Sequence, residues 1–372
     1  MIIGVPKEIK NKEFRVSMTP QGVAELVRRK HQVLVQNEAG AGSGFSDSDY
    51  EKAGARILAK AADIYAQADL IIKVKEPLEQ EYEFIREGQI LFTYFHFASS
   101  EQLTKEMIKR KAVCIAYETI TKPDGSLPML IPMSEVAGRM SVQIGAHYLE
   151  KANGGKGKLL GGVPGVRPAR VVILGAGTVG TQAAKIAAGM GAEVILLDIN
   201  TQRLRYLQDV LPANVSCLFS DKATISELLL QTDLLIGAVL IPGGKAPVLA
   251  SEAMIKSMSK GSVVIDVAVD QGGCIETCKV TSHEHPVYEV NGVIHYCVPN
   301  IPGAVPVTST IALTNTSLPY IIQLADKGWQ VACSSSKELQ SGLNIIHGKV
   351  VQPMVAETFQ LSLYSYSEIN TE

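Results

Sequence analysis

Short apolar runs that alternate with helix-like spacing, a glycine-rich break near the middle, and a length of 372 residues together predict an α/β fold. The expected architecture is two Rossmann-like, doubly wound domains with a cleft between them. Domains cluster at about 100–200 residues, so a chain of this length exceeds one ordinary core. The runs stay apolar without polar alternation, as parallel strands buried on both faces do. The helical patterns between them supply the crossovers that parallel strands need.

The first round places strands at 2–6 ("IIGVP"), 31–36 ("HQVLVQ"), 69–74 ("DLIIKV"), 90–95 ("ILFTYF") and 113–118 ("VCIAYE"), with helices around 20–30 and 47–67. The second follows the loop "NGGKGKLLGGVPGVRP" at 153–168, with strands at 170–177, 193–198, 215–220, 233–240, 262–269 and 293–300. A connecting helix is expected over 134–151, with Ser134 as its N-cap and Glu135 in the first turn. Another is expected over 309–328. The C-terminal tail has too little apolar sequence for its own core and should pack back on the first domain. The domains are therefore placed at 1–133, completed by 306–372, for substrate and catalysis, and at 134–305 for the nucleotide.

A formal charge of −2 argues against a nucleic-acid partner. The N-terminal "MIIGVPKEIK" lacks the features of a secretory signal, and no window reaches the roughly 18 apolar residues of a membrane span. A soluble, cytoplasmic protein that works on small molecules is expected. The six cysteines are scattered, several inside apolar runs, as small buried hydrophobes in a reducing compartment would be. "CIETCKVTSHEHP" gathers Cys274, Cys278, His283 and His285, but lacks the widely spaced second ligand pair of structural zinc sites. A turn-rich loop and no metal are expected there.

"LGAGTVG" sets Gly175, Gly177 and Gly180 in the order G-x-G-x-x-G, a weak signal alone. Its context strengthens it. The motif follows a predicted strand, opens an alanine-rich helix, and precedes a second strand ending in Asp198, 23 positions after Gly175. Glycines there allow a tight turn and close approach of a pyrophosphate to the helix N-terminus. Asp198 would accept from ribose hydroxyls and repel a 2′-phosphate, which selects NAD over NADP. Arg203 could stack on the adenine or pair with Asp198.

In the first domain, polar groups stand where strands end. Arg15 lies in the loop after the first strand, Lys73 and Lys75 precede Pro77, and His96 closes "ILFTYF". Arg15, Lys75 and His96 would meet at the carboxyl edge of one parallel sheet, where open α/β folds bind ligands. They supply a planar fork for a carboxylate, a point charge for a carbonyl oxygen, and a proton exchanger. Plainer roles compete: a solvated loop arginine, a Lys73 that is solvated or paired with a glutamate such as Glu76, and a core histidine. Asp270, at the end of "IDVAVD", either faces the nicotinamide or forms a turn. Phe95 and Phe97 are expected to limit water around the imidazole.

"MIIGVPKEIKNKEFRVSMTPQGV", "IIKVKEPL", "LFTYFHFA", "LGAGTVG", "IDVAVDQGGC" and "HYCVPNIPGAVPVTST" occur in this order along essentially the whole chain. On these segments the chain resembles the L-alanine dehydrogenases of the alanine dehydrogenase and pyridine nucleotide transhydrogenase family. The resemblance implies reversible NAD-dependent oxidative deamination of L-alanine to pyruvate and ammonia. It implies that Arg15 and Lys75 bind substrate and that His96 and Asp270 are catalytic. It carries cofactor contacts onto Ser134, Gly175, Gly177, Thr178, Val179, Gly180, Asp198, Arg203, Ser220, Val239, Leu240, Val267, Asp270, Lys279, Val298 and Asn300. It also implies a homohexamer, with apolar helix faces such as "MSVQIGAHYL" available for contacts. Some members bind metal near the C-terminal helix, but "IIQLADKG" here lacks a carboxylate–histidine pair, so no metal is expected.

Three rival readings follow from the same motifs. The soluble NAD(H)-binding subunit of a proton-translocating transhydrogenase passes hydride to another nucleotide and would not need Arg15, Lys75 and His96. A non-enzymatic NAD(H) sensor would need only the glycine fingerprint. A saccharopine-type dehydrogenase is the third.

Overall fold

In the computed structural model, residues 1–239 and 246–369 are described, except for the side chain of Asp270. Contacts divide the chain into two units, Met1–Met133 with Val305–Glu372, and Ser134–Ala304. Each is built around one sheet.

The first unit contains β1 (Ile2–Val5), β2 (Gln32–Gln36), β3 (Arg56–Leu58), β4 (Leu70–Ile72), β5 (Ile90–Thr93) and β6 (Val113–Ala116). The second contains β7 (Arg170–Leu174), β8 (Glu193–Asp198), β9 (Val215–Phe219), β10 (Leu234–Gly237), β11 (Val263–Asp266), β12 (Val287–Val290) and β13 (Val293–Tyr296). The chain then returns to the first unit with β14 (Leu343–Ile346) and β15 (Lys349–Val350).

The first sheet runs β15-β14-β6-β5-β4-β1-β2-β3, and β1 to β6 are all parallel. Their order reverses between β1 and β4, the switch point where such sheets bind ligands. Side chains alternate between two cores. Ile3, Leu70, Ile72, Phe92 and Ile115 face one side, where helices Pro20–Arg28 and Pro306–Ser335 cover them. Ile71, Leu91, Phe95 and Cys114 face the other, under helices Ala61–Gln67, Glu101–Arg110 and Pro353–Phe359.

The second sheet runs β12-β13-β11-β10-β7-β8-β9, with a switch point between β7 and β10. Val171, Ile173, Val194, Leu196 and Ile236 face helices Ile131–Tyr148 and Thr178–Gly189. Val172, Leu174, Ile195 and Leu235 face helices Lys222–Leu229 and Glu252–Lys256.

Several expectations need correction. The helix expected over 47–67 is two short helices, Asp47–Lys52 and Ala61–Gln67, with β3 between them. β3 is a short, partly exposed edge strand, so no apolar run marks it. Ser134 is not an N-cap, because the helix Ile131–Tyr148 begins three residues earlier. The helix Pro306–Ser335 passes the expected end at 328, where Gly328 interrupts it with φ 74° and ψ 158°. The sheets are also not wholly parallel. β14 pairs antiparallel with β6, β15 with β14, and β12 with β13. Antiparallel additions at an edge need only a short turn and leave no long apolar signal.

Gly4 in β1 is required by close packing. A Cβ there would lie 2.6 Å from Ile64 Cγ2, 2.8 Å from Ile71 Cδ1 and 2.9 Å from Ala68 Cβ. Gly4→Ala is expected to destabilise the first unit by about 1–3 kcal/mol through overpacking. Urea unfolding followed by circular dichroism checks this, and an unchanged midpoint would show that the helix Ala61–Gln67 can move aside.

Candidate active site

Arg15, Lys75 and His96 arise at neighbouring strand ends of the first sheet. Lys75 and His96 follow the parallel pair β4 and β5, which Lys73 N–H extends by donating to Phe92 O (3.2 Å) and Tyr94 N–H by donating to Val74 O (3.3 Å). Arg15 comes from the loop after β1, β4's other neighbour. Ser17 Oγ donates to Ile72 O at 2.7 Å and so lays this loop over the end of β4.

Arg15 is buried, not a solvated loop residue. Its Nε donates to Glu13 Oε1 at 2.7 Å and its Nη2 to Glu13 Oε2 at 2.6 Å, a bidentate pair. Burial pushes the Glu13 carboxyl up, but hydrogen bonds and charge from Arg15 outweigh this and hold it below its ordinary value. Lys75 is held below the ordinary lysine range by burial and by the nearby charges of Arg15 and Lys10. Among the described residues no carboxylate forms an ion pair with Lys75. It is therefore the least compensated cation of the group.

Lys73 is neither solvated nor paired with Glu76. It is fully buried between Glu8 Oε2 (3.2 Å) and Glu81 Oε1 (2.9 Å), while Lys10 takes Glu76. Tyr65 Oη also donates to Glu81, at 3.0 Å. Both lysines follow β4, which ends at Ile72, and only Lys73 is enclosed by the core.

His96 stands on the exposed edge with φ 51° and ψ 43°, a left-handed backbone that is uncommon outside glycine. Its ring stacks on Tyr94, with centroids 6.0 Å apart and planes within 9°. Tyr94 is buried, which pushes its phenol above the ordinary value, and the charge of Arg15 offsets part of this. Phe95 and Phe97 do not shield the imidazole. They stack on each other at 4.5 Å in the core, because the left-handed turn at His96 sends both rings inward.

In the second unit the fingerprint glycines serve the expected backbone needs. Gly175 has φ +99°, and a Cβ at Gly180 would lie 1.8 Å from Gly175 O. Gly177 precedes the helix Thr178–Gly189 without a side-chain cap, and a Cβ on it would meet nothing within 4 Å. Open space thus lies over uncapped helical N–H groups, which suits a pyrophosphate. The backbone of Gly138 packs on Val179 O, where a Cβ would come within 2.2 Å. Ser134 lies one turn earlier in the same helix, next to Glu135, whose Oε1 accepts from Gln182 Nε2 at 3.2 Å.

Asp198 ends β8. Its Oδ2 accepts from Ala176 N–H at 2.7 Å and its Oδ1 from Asn200 N–H at 2.8 Å, while its carbonyl accepts from Ser220 N–H at 3.0 Å. Arg203 does not pair with Asp198. Its guanidinium donates to Ala176 O and Thr181 Oγ1, both at 3.1 Å, and lies over Tyr206. Val239 and Val267 follow β10 and β11 at the same edge, and Val267 N–H donates to Gly237 O at 2.9 Å. Val298 is buried beyond β13, Asn300 has φ 57°, and exposed Lys279 donates its N–H to Tyr288 Oη at 2.7 Å. Leu240 lies outside the described residues. Asp270 sits in the turn Val269–Gln271, where only its backbone is described.

The N-terminal domain profile of the alanine dehydrogenase/PNT family matches residues 4–137, and the C-terminal domain profile matches residues 141–353. An alanine dehydrogenase of Methanococcus maripaludis is 56% identical over 97% of each chain. Alanine dehydrogenase 2 of Staphylococcus aureus is 53% identical over 99% of each. The chain belongs to the alanine dehydrogenase/PNT family. Among solved structures, an L-alanine dehydrogenase superposes with a TM-score of 0.95 at 50% identity, covering 97% of this chain and 99% of the other. A transhydrogenase from Sinorhizobium meliloti gives 0.82 at 26% identity, covering 95% and 99%.

Within this family member, sequence reasoning passed over several carboxylates that shape the site. Glu8, Glu13, Glu81 and Glu118 stand among other charged residues or at a strand end, with nothing local to separate them from surface acids. Asp266, ending β11, is fully buried and accepts from the N–H groups of Ala268, Cys274 and Ile275, which fastens the loop carrying Asp270. An aspartate closing an apolar run was the available signal.

The Glu13–Arg15 pair has a pH signature. The Glu13 carboxyl sits below its unfolded value, so its stabilisation is complete above the ordinary carboxylate range, about 4.3, and fades as pH falls through the lower folded value. Glu13→Gln is expected to lower Tm clearly at pH 7 and progressively less below pH ~4. Calorimetry of both proteins across pH checks this, and a Tm deficit independent of pH would remove charge pairing as its cause.

Proposed function

We propose that this chain catalyses the reversible NAD-dependent oxidative deamination of L-alanine to pyruvate and ammonia. One observation carries the reading: a buried arginine, a lysine without an ion-pair partner among the described residues and an exposed histidine share the carboxyl edge of one sheet beside its switch point. Identity of 50–56% to alanine dehydrogenases, against 26% to the transhydrogenase, supports it over the soluble transhydrogenase subunit. A sensor without chemistry would have no need of the proton-exchanging edge.

Arg15 holds the substrate carboxylate and restricts its orientation. Lys75 sits by the amine or carbonyl end, where its charge can stabilise charge developing on oxygen. NAD, when bound, accepts the hydride from the alanine Cα. His96 takes a proton from the amine or from the water that adds to the resulting imine, and returns one as ammonia departs. Asp270 positions the amine or that water. Gly175, Gly177, Thr178, Val179 and Gly180 hold the pyrophosphate, with Ser134 beside them, and Asp198 holds the ribose. Arg203, Ser220, Val239, Leu240, Val267, Lys279, Val298 and Asn300 complete the cofactor contacts, and no metal takes part.

Purified protein with L-alanine and NAD is expected to produce NADH absorbance, NADP at equal concentration far less, and His96→Ala at least 100-fold less, at the lower end of the general acid–base range of about 10²–10⁴. Absence of NADH from alanine sinks the reading, and equal rates with NADP sink the role given to Asp198.

The protein is placed in the cytoplasm as a homohexamer. Among the described residues no helix is long and apolar enough to cross a membrane. The stretch "MSVQIGAHYL" does not supply the expected contact face, since Val142, Ile144 and Leu149 pack in the second unit's own core. Exposed Phe14, Val307 and Ile311 in the first unit are better suited to bury against another copy. Light scattering should return six times the 40.0 kDa chain mass, and a monomeric mass would overturn the assembly.

A further inference from the structure

Glu118 lies in the turn Tyr117–Thr119 that follows β6, the parallel neighbour of β5, and no step above uses it. Its Oε1 accepts from the N–H of His96 at 2.6 Å and its Oε2 from the N–H of Phe95 at 3.2 Å. One carboxylate therefore spans two consecutive peptide groups where β5 leaves the sheet. On the other side of the residue, Ser99 donates both its N–H (2.9 Å) and its Oγ (2.7 Å) to His96 O.

These bonds surround a residue that adopts a left-handed backbone without being glycine. Such a conformation persists only where neighbours over-determine it. The imidazole itself has no hydrogen-bond partner among the described residues, only the stack on Tyr94. Its direction is thus set by the backbone, and the backbone is held by Glu118. The other two site residues follow the same pattern: Glu13 Oε1 accepts from Arg15 N–H at 3.1 Å, and Glu8 Oε1 from Val74 and Lys75 N–H at 2.6 and 3.3 Å. Glu8 and Glu13 also neutralise buried cations, whereas among the described residues Glu118 forms no ion pair.

We propose that Glu118 is a positioning residue for His96, aiming the imidazole by clamping the peptides of Phe95 and His96. The proposal rests on the assignment of His96 as the proton-transfer group. Glu118→Gln retains the length of the side chain but turns one acceptor into a donor, which faces a backbone N–H and breaks half of the clamp. A displacement of the reacting group by about 1 Å costs on the order of 100-fold in rate, so half a clamp is expected to cost 10- to 100-fold in kcat.

The experiment measures kcat and KM for L-alanine and NAD in the wild type, Glu118→Gln and Glu118→Asp, with Tm alongside. Wild-type turnover tests the functional reading separately from the variants. Expected are a 10- to 100-fold loss of kcat in Glu118→Gln, KM values within about twofold of wild type, and a smaller loss in Glu118→Asp, which keeps both acceptors. In a His96→Ala background, adding Glu118→Gln should change the residual rate less than twofold, since there is no imidazole left to aim. A Glu118→Gln kcat within twofold of wild type overturns the proposal. So does an equal loss with and without His96, or a KM rise that accounts for the whole effect. If Glu118→Gln does not fold, Glu118→Asp carries the same kcat and KM comparison and the same double-variant criterion.

Discussion

A parallel sheet stops satisfying its own backbone where its strands end, and the N–H groups that leave the ladder must find acceptors. At the ends of β4 and β5 those acceptors are carboxylates. Glu8 receives the chain as it leaves β4 and Glu118 as it leaves β5, while Glu13 folds onto Arg15 in the loop after β1. The edge that carries the candidate chemistry is therefore rigid because of acids that came from other parts of the sequence.

The same acids set the charge balance. Burying an ion is costly unless it is paired and hydrogen-bonded, and removing one partner of a buried pair costs about 3–5 kcal/mol. Lys73 sits between Glu8 and Glu81, and Arg15 is clasped by Glu13. Lys75, one residue pair further along, has no such partner among the described residues, and burial with neighbouring cations depresses its pKa. Among the described residues, two of the three cations have a carboxylate within ion-pair distance and Lys75 has none. Lys73, enclosed between two carboxylates, is suited only to hold β4 in place.

The second unit solves a different problem with backbone alone. Close approach of a strand, a turn and a helix leaves room for nothing larger than hydrogen at Gly180, whereas Gly177 keeps space above the helix start clear. Asp198 and Arg203 both bind the fingerprint peptide at Ala176, from its N–H and its carbonyl respectively. Arg203 thus reinforces the turn instead of neutralising Asp198.

Which residues lie on strands, where the glycines must be, and which cations and histidine end at the carboxyl edge were determined by the sequence itself. Continuous apolar runs and G-x-G-x-x-G spacing are local signals, and Lys75, Asp198 and His96 each stand at an abrupt break in one, while Arg15 lies in the loop after the first strand. The tertiary structure decided what was not local. It buried Lys73 instead of leaving it at the surface, opened the segment 47–67 to admit β3, and added β14 and β15 antiparallel at the far edge. It turned Phe95 and Phe97 away from His96 and brought Glu118 to it across 22 residues. A carboxylate reveals its task only through the groups it meets. Those meetings are fixed by strand order, which no short stretch of chain encodes.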